Sequence, residues 1–277
     1  MRIAIQGEKG SNSHMAAVQM FAGMEMLPEI VPCSVSAEVF DRVVAAEVDG
    51  AVLPIENSLH GSVAEHYDLL LARPVKITRE SSLRIRHNVI ACPGVRLEEL
   101  RAVLSHPVAL AQCRRWQADH PRIQAMPFYD TAGSVKHVVE RGLRDRAGIA
   151  PALAAEVYGG EVLVEGIEDH RENYTRFHLL VRESAAGEVP GANKLSVTFA
   201  VEHRPGTLVR ALTGLAEAGA DLTKIESRPV PGRPWEYVFY VDLRFGRAEI
   251  AEEALSGLRA SCGMVKELGR YVAADAG

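Results

Sequence analysis

Thr175 and Arg176 stand where a polar run, EDHRENY (168–174), meets the apolar segment FHLLV (177–181). A loop entering a strand needs neither a hydroxyl nor a guanidinium at that seam. Held at the mouth of a buried strand, the pair could donate hydrogen bonds to an oxygen-rich anion. Strand alternation places Phe177 on the side of Thr175, and Arg176 with His178 on the other. Arg176 therefore either reaches a ligand through the twist of the strand end or secures a junction behind it. Four other stretches carry small polar residues: GEKGSNS (7–13), PIENSLHGS (54–62), SHP (105–107) and DTAGS (130–134). Singly, each reads as a strand-to-helix turn whose Ser, Asn, Asp or Thr caps a helix. Four in one region, with the seam, point to a cleft where helix N-termini offer unpaired N–H groups to an anion.

The elements needed to position these groups follow from periodicity. Up to residue 182, short apolar runs alternate with helical patterns, which predicts an open α/β architecture. RIAIQG is a strand followed by a helix from about Ser13, and GAVLPIENS (50–58) is a strand breaking into a polar turn before another helix. VLSHP (103–107) leads into one long helix, VALAQCRRWQADH, with Pro107 at its first position. AMPFYDTAGSV (125–135) ends in Asp130 and Thr131, either of which suits a cap, and RAGIAP and YTRFHLLV complete the set. The break RESAAGEVPGAN (182–193) reads as a linker over 183–193. Beyond it, strand, helix, strand, a PGRP turn, strand, helix and strand give the βαββαβ order of the ferredoxin-like plan over 194–277.

Composition narrows the function. The 277 residues suffice for two domains, and a net charge of −5 without a basic run argues against nucleic acid as a partner. No apolar run reaches membrane-spanning length and none at the N-terminus suits a signal peptide, so a cytoplasmic protein is expected. Cys33, Cys92, Cys113 and Cys262 form no close pair, and the ten histidines lack metal-site spacing, so neither metal nor cofactor is expected.

The motifs GEKGSNS, PIENSLHGS, SHPVALAQC, DTAGS, GIEDHRENYTRF, HRPGTL and TKIESRP, in this order along nearly the whole chain, resemble prephenate dehydratase. The resemblance implies a two-lobed catalytic domain over 1–182, similar to the periplasmic binding proteins, with lobe one about 1–76 plus 172–182 and lobe two about 77–171. It implies a C-terminal ACT domain that binds phenylalanine as an allosteric inhibitor, in a homodimer joined through that domain or a tetramer. The substrate would be prephenate, with the amino analogue arogenate as the nearest rival. Outside the enzymes, a two-lobed fold could also be a small-anion sensor without chemistry.

Residue by residue, the resemblance puts Thr175 of the Thr-Arg-Phe motif at the centre, with Glu56, Asn57, Ser105 and Gln112 as further catalytic positions. A threonine hydroxyl is too weak an acid to be a free proton source, so its role would be a hydrogen bond to the leaving oxygen. Asn57 could offer N–H donors to substrate. Glu56 facing a dianion would meet like charge, which would raise its pKa so that it could be protonated, and a structural Glu bonding backbone N–H groups is the alternative there. Ser58, Arg176 and Phe177 join the binding set, Phe177 chiefly as packing. Thr131, Ala132, Gly133 and Ser134 would give a helix N-terminus to one carboxylate, with Gly133 allowing close approach. Gly206, Thr207, Leu208, Val209, Asp221, Leu222, Glu226, Ser227, Arg228 and Pro229 match the effector segments. Asn12, Val108, Thr207 and Asp221 depart from the usual family residues, which bears on ligand fit.

Overall fold

The computed structural model describes residues 1–230 and 236–274. The chain opens with β1 (Arg2–Gln6), α1 (Asn12–Met20), β2 (Glu29–Cys33), α2 (Ser36–Val44), β3 (Gly50–Asn57), the short β4 (Gly61–Ser62), α3 (Ala64–Ala72) and β5 (Val75–Arg84). These build lobe one. Lobe two holds β6 (Asn88–Ala91), β7 (Ala102–Ser105), α4 (Pro107–Ala111), α5 (Arg114–Asp119), β8 (Gln124–Pro127), α6 (Thr131–Glu140), β9 (Arg146–Ala150), α7 (Leu153–Tyr158) and β10 (Glu161–Val164). The chain then returns through β11 (Tyr174–Arg182) to lobe one. The remainder forms β12 (Lys194–Ala200), α8 (Thr207–Glu217), β13 (Asp221–Pro229), β14 (Tyr237–Arg244), α9 (Ala248–Ser261) and β15 (Met264–Tyr271).

Lobe one is a sheet ordered β2-β1-β3-β11-β5, with β4 beside β3. β1 runs parallel to β2 and β3, and β11 lies antiparallel between β3 and β5. Ile3, Ala4 and Ile5 of β1 are all buried, as a parallel strand covered on both faces requires. Lobe two is ordered β10-β6-β9-β7-β8. The third sheet, β13-β14-β12-β15, is antiparallel throughout and completes the expected βαββαβ unit.

Three expectations need correction or restriction. The first sheet keeps β5 as far as Arg84, so the chain leaves lobe one there and not at residue 76. The expected helix over 108–120 is two helices: Asp169 accepts from the backbone N–H of Arg114 at 3.0 Å and of Arg115 at 2.9 Å, which starts a new helix at 114. Gln112 is consequently the C-cap of α4 instead of lying two turns into a helix. The PGRP turn and Trp235 lie outside the described residues.

The C-terminal unit is welded to lobe one. Val238, Tyr240, Leu268 and Tyr271 belong to the same apolar cluster as Leu53, Tyr67, Leu70 and Ile77. The rings of Tyr67 and Tyr240 meet edge-on, centroids 5.0 Å apart. Gly269 presses on the backbone of Ile77 so closely that a Cβ would collide.

Candidate active site

Asn57 and Thr175 face each other across the β3–β11 ladder. The Nδ2 of Asn57 lies 2.9 Å from Thr175 Oγ1, 2.8 Å from Asn173 Oδ1 and 3.2 Å from the Tyr174 carbonyl. Its Oδ1 accepts from the backbone N–H of Leu59 and His60, each at 3.0 Å. Every polar atom of this amide is thus engaged within the protein, so Asn57 orients Thr175 instead of offering its donors to a ligand. Because Thr175 Oγ1 accepts from an amide, its own proton remains to be donated. Thr175 and Phe177 help to line the interlobe cleft, a cavity of about 500 Å³.

Lobe one contributes Gly7, Ser11, Asn12 and Ser13 to this cleft, and lobe two His106, Gln112, Tyr129 and Thr131. Ser11 caps α1 and Asn12 and Ser13 open it, where backbone N–H groups lack helical partners, while the Gly7 N–H is already given to the Cys33 carbonyl at 2.9 Å. Gln112 bridges the lobes: its Oε1 is 2.7 Å from His87 Nε2 and its Nε2 is 3.1 Å from His60 Nδ1. Burial holds the His87 pKa below its ordinary value, so the ring is neutral and its Nε2–H donates to Gln112. A second bridge closes one rim, where Tyr129 OH donates to Glu8 Oε1 and Lys136 Nζ pairs with Glu8 Oε2, both at 3.0 Å. Cys33 also faces the cleft, but burial pushes its thiol up to about 11, leaving it protonated and unreactive at neutral pH.

Other expected site residues lie elsewhere. Glu56 turns its carboxylate away from the cleft, to Arg176 at 2.6 Å and Lys224 at 2.8 Å. Arg176 points the same way, reaching Asp242 at 2.8 Å and Glu80 at 3.5 Å, so of its two readings the structure has the junction. Ser105 is fully buried and donates to the Ile149 carbonyl at 2.6 Å, tying β7 to β9. Ser58 pins the return loop, donating to the Glu172 carbonyl at 3.2 Å and accepting from the Tyr174 N–H at 3.0 Å.

The start of α6 also departs from expectation. Asp130 already caps it, accepting from the Gly133 N–H at 2.6 Å, and Ser134 Oγ donates to the Thr131 carbonyl at 2.6 Å. Ala132, Gly133 and Ser134, which follow Thr131 in α6, are buried. A Cβ on Gly133 would come within 2.6 Å of the Tyr129 hydroxyl, so this glycine makes room for a tyrosine and not for a ligand.

Behind β11 lies a buried ion cluster. Glu80 accepts from Lys194 at 2.8 Å, and His178 Nε2 lies 3.3 Å away. Burial alone would raise the Glu80 carboxyl, but the His178 hydrogen bond and the charges of Lys194 and Arg176 hold it well below the usual range. Asp242 is likewise depressed: burial opposes ionisation, and Arg176 and Lys194 outweigh it. His178 is lowered by burial and stays neutral.

A second cavity, of about 360 Å³, opens in the C-terminal unit and is lined by Gly206, Thr207, Leu208, Val209, Ser227, Tyr237 and Phe239, among others. Gly206 has φ of 85° at the N-cap of α8, a left-handed position that suits glycine. The Thr207 hydroxyl is occupied, donating to the Glu202 and Arg204 carbonyls at 2.7 and 2.9 Å. Asp221, Leu222 and Pro229 sit on β13 outside this cavity wall, while Glu226 and Arg228 face lobe one, toward Ser62 and Asp68.

The prephenate dehydratase family model matches residues 3–185. The chain belongs to the prephenate dehydratase family. It is 39% identical over 284 residues to "Arogenate dehydratase/prephenate dehydratase 2, chloroplastic" of Arabidopsis thaliana, covering 98% of this chain and 72% of that one. Its fold is similar to the prephenate dehydratase of Arthrobacter aurescens solved with L-Phe, with a TM-score of 0.88, 32% identity and coverage of 99% and 91%. It is equally similar, at TM-score 0.88 and 32% identity with 99% of both chains covered, to a structure described as GqqA, a novel type of quorum quenching acylase.

Within this prephenate dehydratase fold, several site residues escaped the sequence reading. Asn173 is completely buried and holds Asn57, and its position two before Thr175 puts it on the same strand face, a signal that was available. His60 and His87 meet only through Gln112, and no local spacing announces that. Among the described residues, no group of three His, Cys, Asp or Glu could hold a metal ion, and no helix is long and apolar enough to cross a membrane.

Proposed function

We propose that this chain is a prephenate dehydratase, converting prephenate to phenylpyruvate in phenylalanine biosynthesis under phenylalanine control. The observation that carries the reading is the Asn57–Thr175 hydrogen bond at the floor of the cleft. In the reaction the bond to the ring carboxylate breaks and releases carbon dioxide. Its electron pair completes the aromatic ring, and the ring hydroxyl departs as water after taking up one proton, supplied in the balance by solvent. Thr175 donates its hydrogen bond to that oxygen as charge develops on it, a contribution confined to the transition state. Substrate carboxylates meet the N–H groups at the start of α1, and lobe closure through Glu8 and Tyr129 removes water from the ring carboxylate.

Arogenate is the second reading, and one feature favours it. Among the described residues that line the cleft none is Lys or Arg, and Asp130 is present, while Glu8 is already paired with Lys136. An ammonium on the side chain of the substrate would suit that balance. An acylase needs a nucleophile beside a base, and Thr175 is bonded to an amide instead.

Regulation is proposed at the cavity beside Gly206, with phenylalanine as ligand. A homodimer, or a tetramer built from it, would form through the C-terminal unit, where edge strand β13 exposes Leu222 and Ile225. The four cysteines are free, in keeping with a cytoplasmic location.

The test is turnover of prephenate and arogenate side by side, followed as phenylpyruvate and phenylalanine. Phenylpyruvate from prephenate supports the leading reading, and turnover of arogenate alone supports the second. Binding of either without product would leave only an anion sensor.

A further inference from the structure

Strand β13 lines the C-terminal cavity through Ser227 and bonds Ser62, which lines the interlobe cleft. Lys224, Glu226 and Arg228 alternate along it and lie on the face turned to lobe one. Lys224 Nζ donates to Glu56 Oε1 at 2.8 Å and to Ser62 Oγ at 2.9 Å. Ser62 Oγ in turn donates to Glu226 Oε2 at 2.8 Å, and Arg228 clasps both oxygens of Asp68 at 3.2 and 2.7 Å. Ser62 lines the interlobe cleft, while Ser227, next in chain to Glu226, lines the C-terminal cavity.

The two residues held by Lys224 sit directly behind the catalytic pair. Glu56 and Arg176 are partners in the β3–β11 ladder, and the next pair is Asn57 with Thr175. Ser62 and Gly61 of β4 pair with Glu56 and Asn57. The hairpin from 57 to 62 is therefore fixed at one end by Asn57, which bonds its own turn, and at the other by Lys224 and Glu226. Asp242 on β14 holds Arg176 at 2.8 Å, so the C-terminal unit grips both partners behind the catalytic pair. The Ser62 hydroxyl has one proton, given to Glu226, and accepts from Lys224. Both bonds come from one strand, so a small shift of β13 weakens them together.

We infer that Lys224 and Glu226 are positioning residues of the cleft, acting through Glu56 and Ser62 on Asn57 and Thr175. By the same bonds, β13 carries the state of the C-terminal cavity to the cleft. The kinetic form of this inference rests on the dehydratase reading, and its mechanical form does not.

The full-length chain is compared with Lys224→Met, Lys224→Arg and Glu226→Gln. Without phenylalanine, Lys224→Met is expected to lower kcat for prephenate roughly tenfold with KM within about twofold, since a slight misplacement of reacting groups costs up to about 10²-fold. Lys224→Arg should restore most of the loss. In Lys224→Met and Glu226→Gln phenylalanine should still raise the melting temperature while inhibiting less. Wild-type kcat and wild-type inhibition in both charge-removing variants would overturn the inference, as would a loss confined to KM. If Lys224→Met does not fold, Glu226→Gln carries the same comparison. A wild-type chain that makes no phenylpyruvate would refute the reaction assignment and leave amide exchange across 57–62 as the readout. Faster exchange there in Lys224→Met or Glu226→Gln supports the tether, and exchange equal to wild type overturns it.

Discussion

Asn57 Nδ2 and Thr175 Oγ1 lie 2.9 Å apart on neighbouring strands, and the amide that makes this bond is held by four further contacts. The threonine is therefore an acceptor toward Asn57 and a donor toward the cleft, with its direction set before any ligand arrives. Such preorganisation lets one hydroxyl matter: donors aimed in advance need no rearrangement as charge develops.

Replacing Asn57 with Ala should release the hydroxyl and loosen the 57–60 turn. The expected result is a fall in kcat of about 10² with a modest change in KM. Because the two residues act as a unit, Asn57→Ala combined with Thr175→Ala should cost little more than Thr175→Ala alone. Additive losses would show that Asn57 works independently of Thr175.

Arg176 serves stability. Its removal leaves the carboxylates of Asp242 and Glu80, side chains only 9% and 3% exposed, without their shared guanidinium. Breaking one partner out of a buried ion cluster typically costs about 3–5 kcal/mol, which urea unfolding of Arg176→Ala would read directly. A loss below about 1 kcal/mol would place Arg176 among exposed pairs of little energetic weight.

Acid should weaken the fold in two stages. Burial depresses the pKa of His66, His87 and His178, so the unfolded chain binds protons there first and stability begins to fall below about pH 6.5. Glu80 and Asp242 are depressed in the fold by their cationic partners, so their contribution is intact above the ordinary carboxylate range and lost as pH drops through about 4 and below. Melting temperatures taken from pH 7 to pH 3 should decline gently and then steeply. A flat profile to pH 3 would contradict both assignments.

Phenylalanine should raise the melting temperature and lower turnover, in line with about 2.7 kcal/mol of added stability at 100 times its Kd. Gly206→Ala forces a side chain into a left-handed conformation at φ 85°, a strain of about 1–2 kcal/mol beside the cavity. The half-inhibiting concentration should rise roughly tenfold, with kcat in its absence within about twofold of wild type. An unchanged inhibition curve would move the effector site elsewhere.

What the sequence disclosed was what is local. Strands such as RIAIQ and the Lys194–Ala200 segment announced themselves by period and burial, and Thr175 by its seam. The alternation of 175–178 correctly divided the strand, with Thr175 and Phe177 at the cleft and Arg176 and His178 in the ion cluster. The break at Gln112 was hidden because the cap of α5 comes from Asp169, far along the chain. Glu56 and Glu226 looked like ligand contacts because the partners they bond, Lys224 and Ser62, are distant in sequence and meet only across the junction. The role of these two glutamates depends on a second sheet, which no local pattern reveals.

The most direct measurement is prephenate turnover by Thr175→Ala, with Thr175→Ser and the binding of a non-reacting dicarboxylate as controls. The account expects Thr175→Ala to lose about 10²–10³ in kcat while binding is kept, and Thr175→Ser to keep a substantial part of the activity. A Thr175→Ala enzyme that works within about threefold of wild type would contradict it.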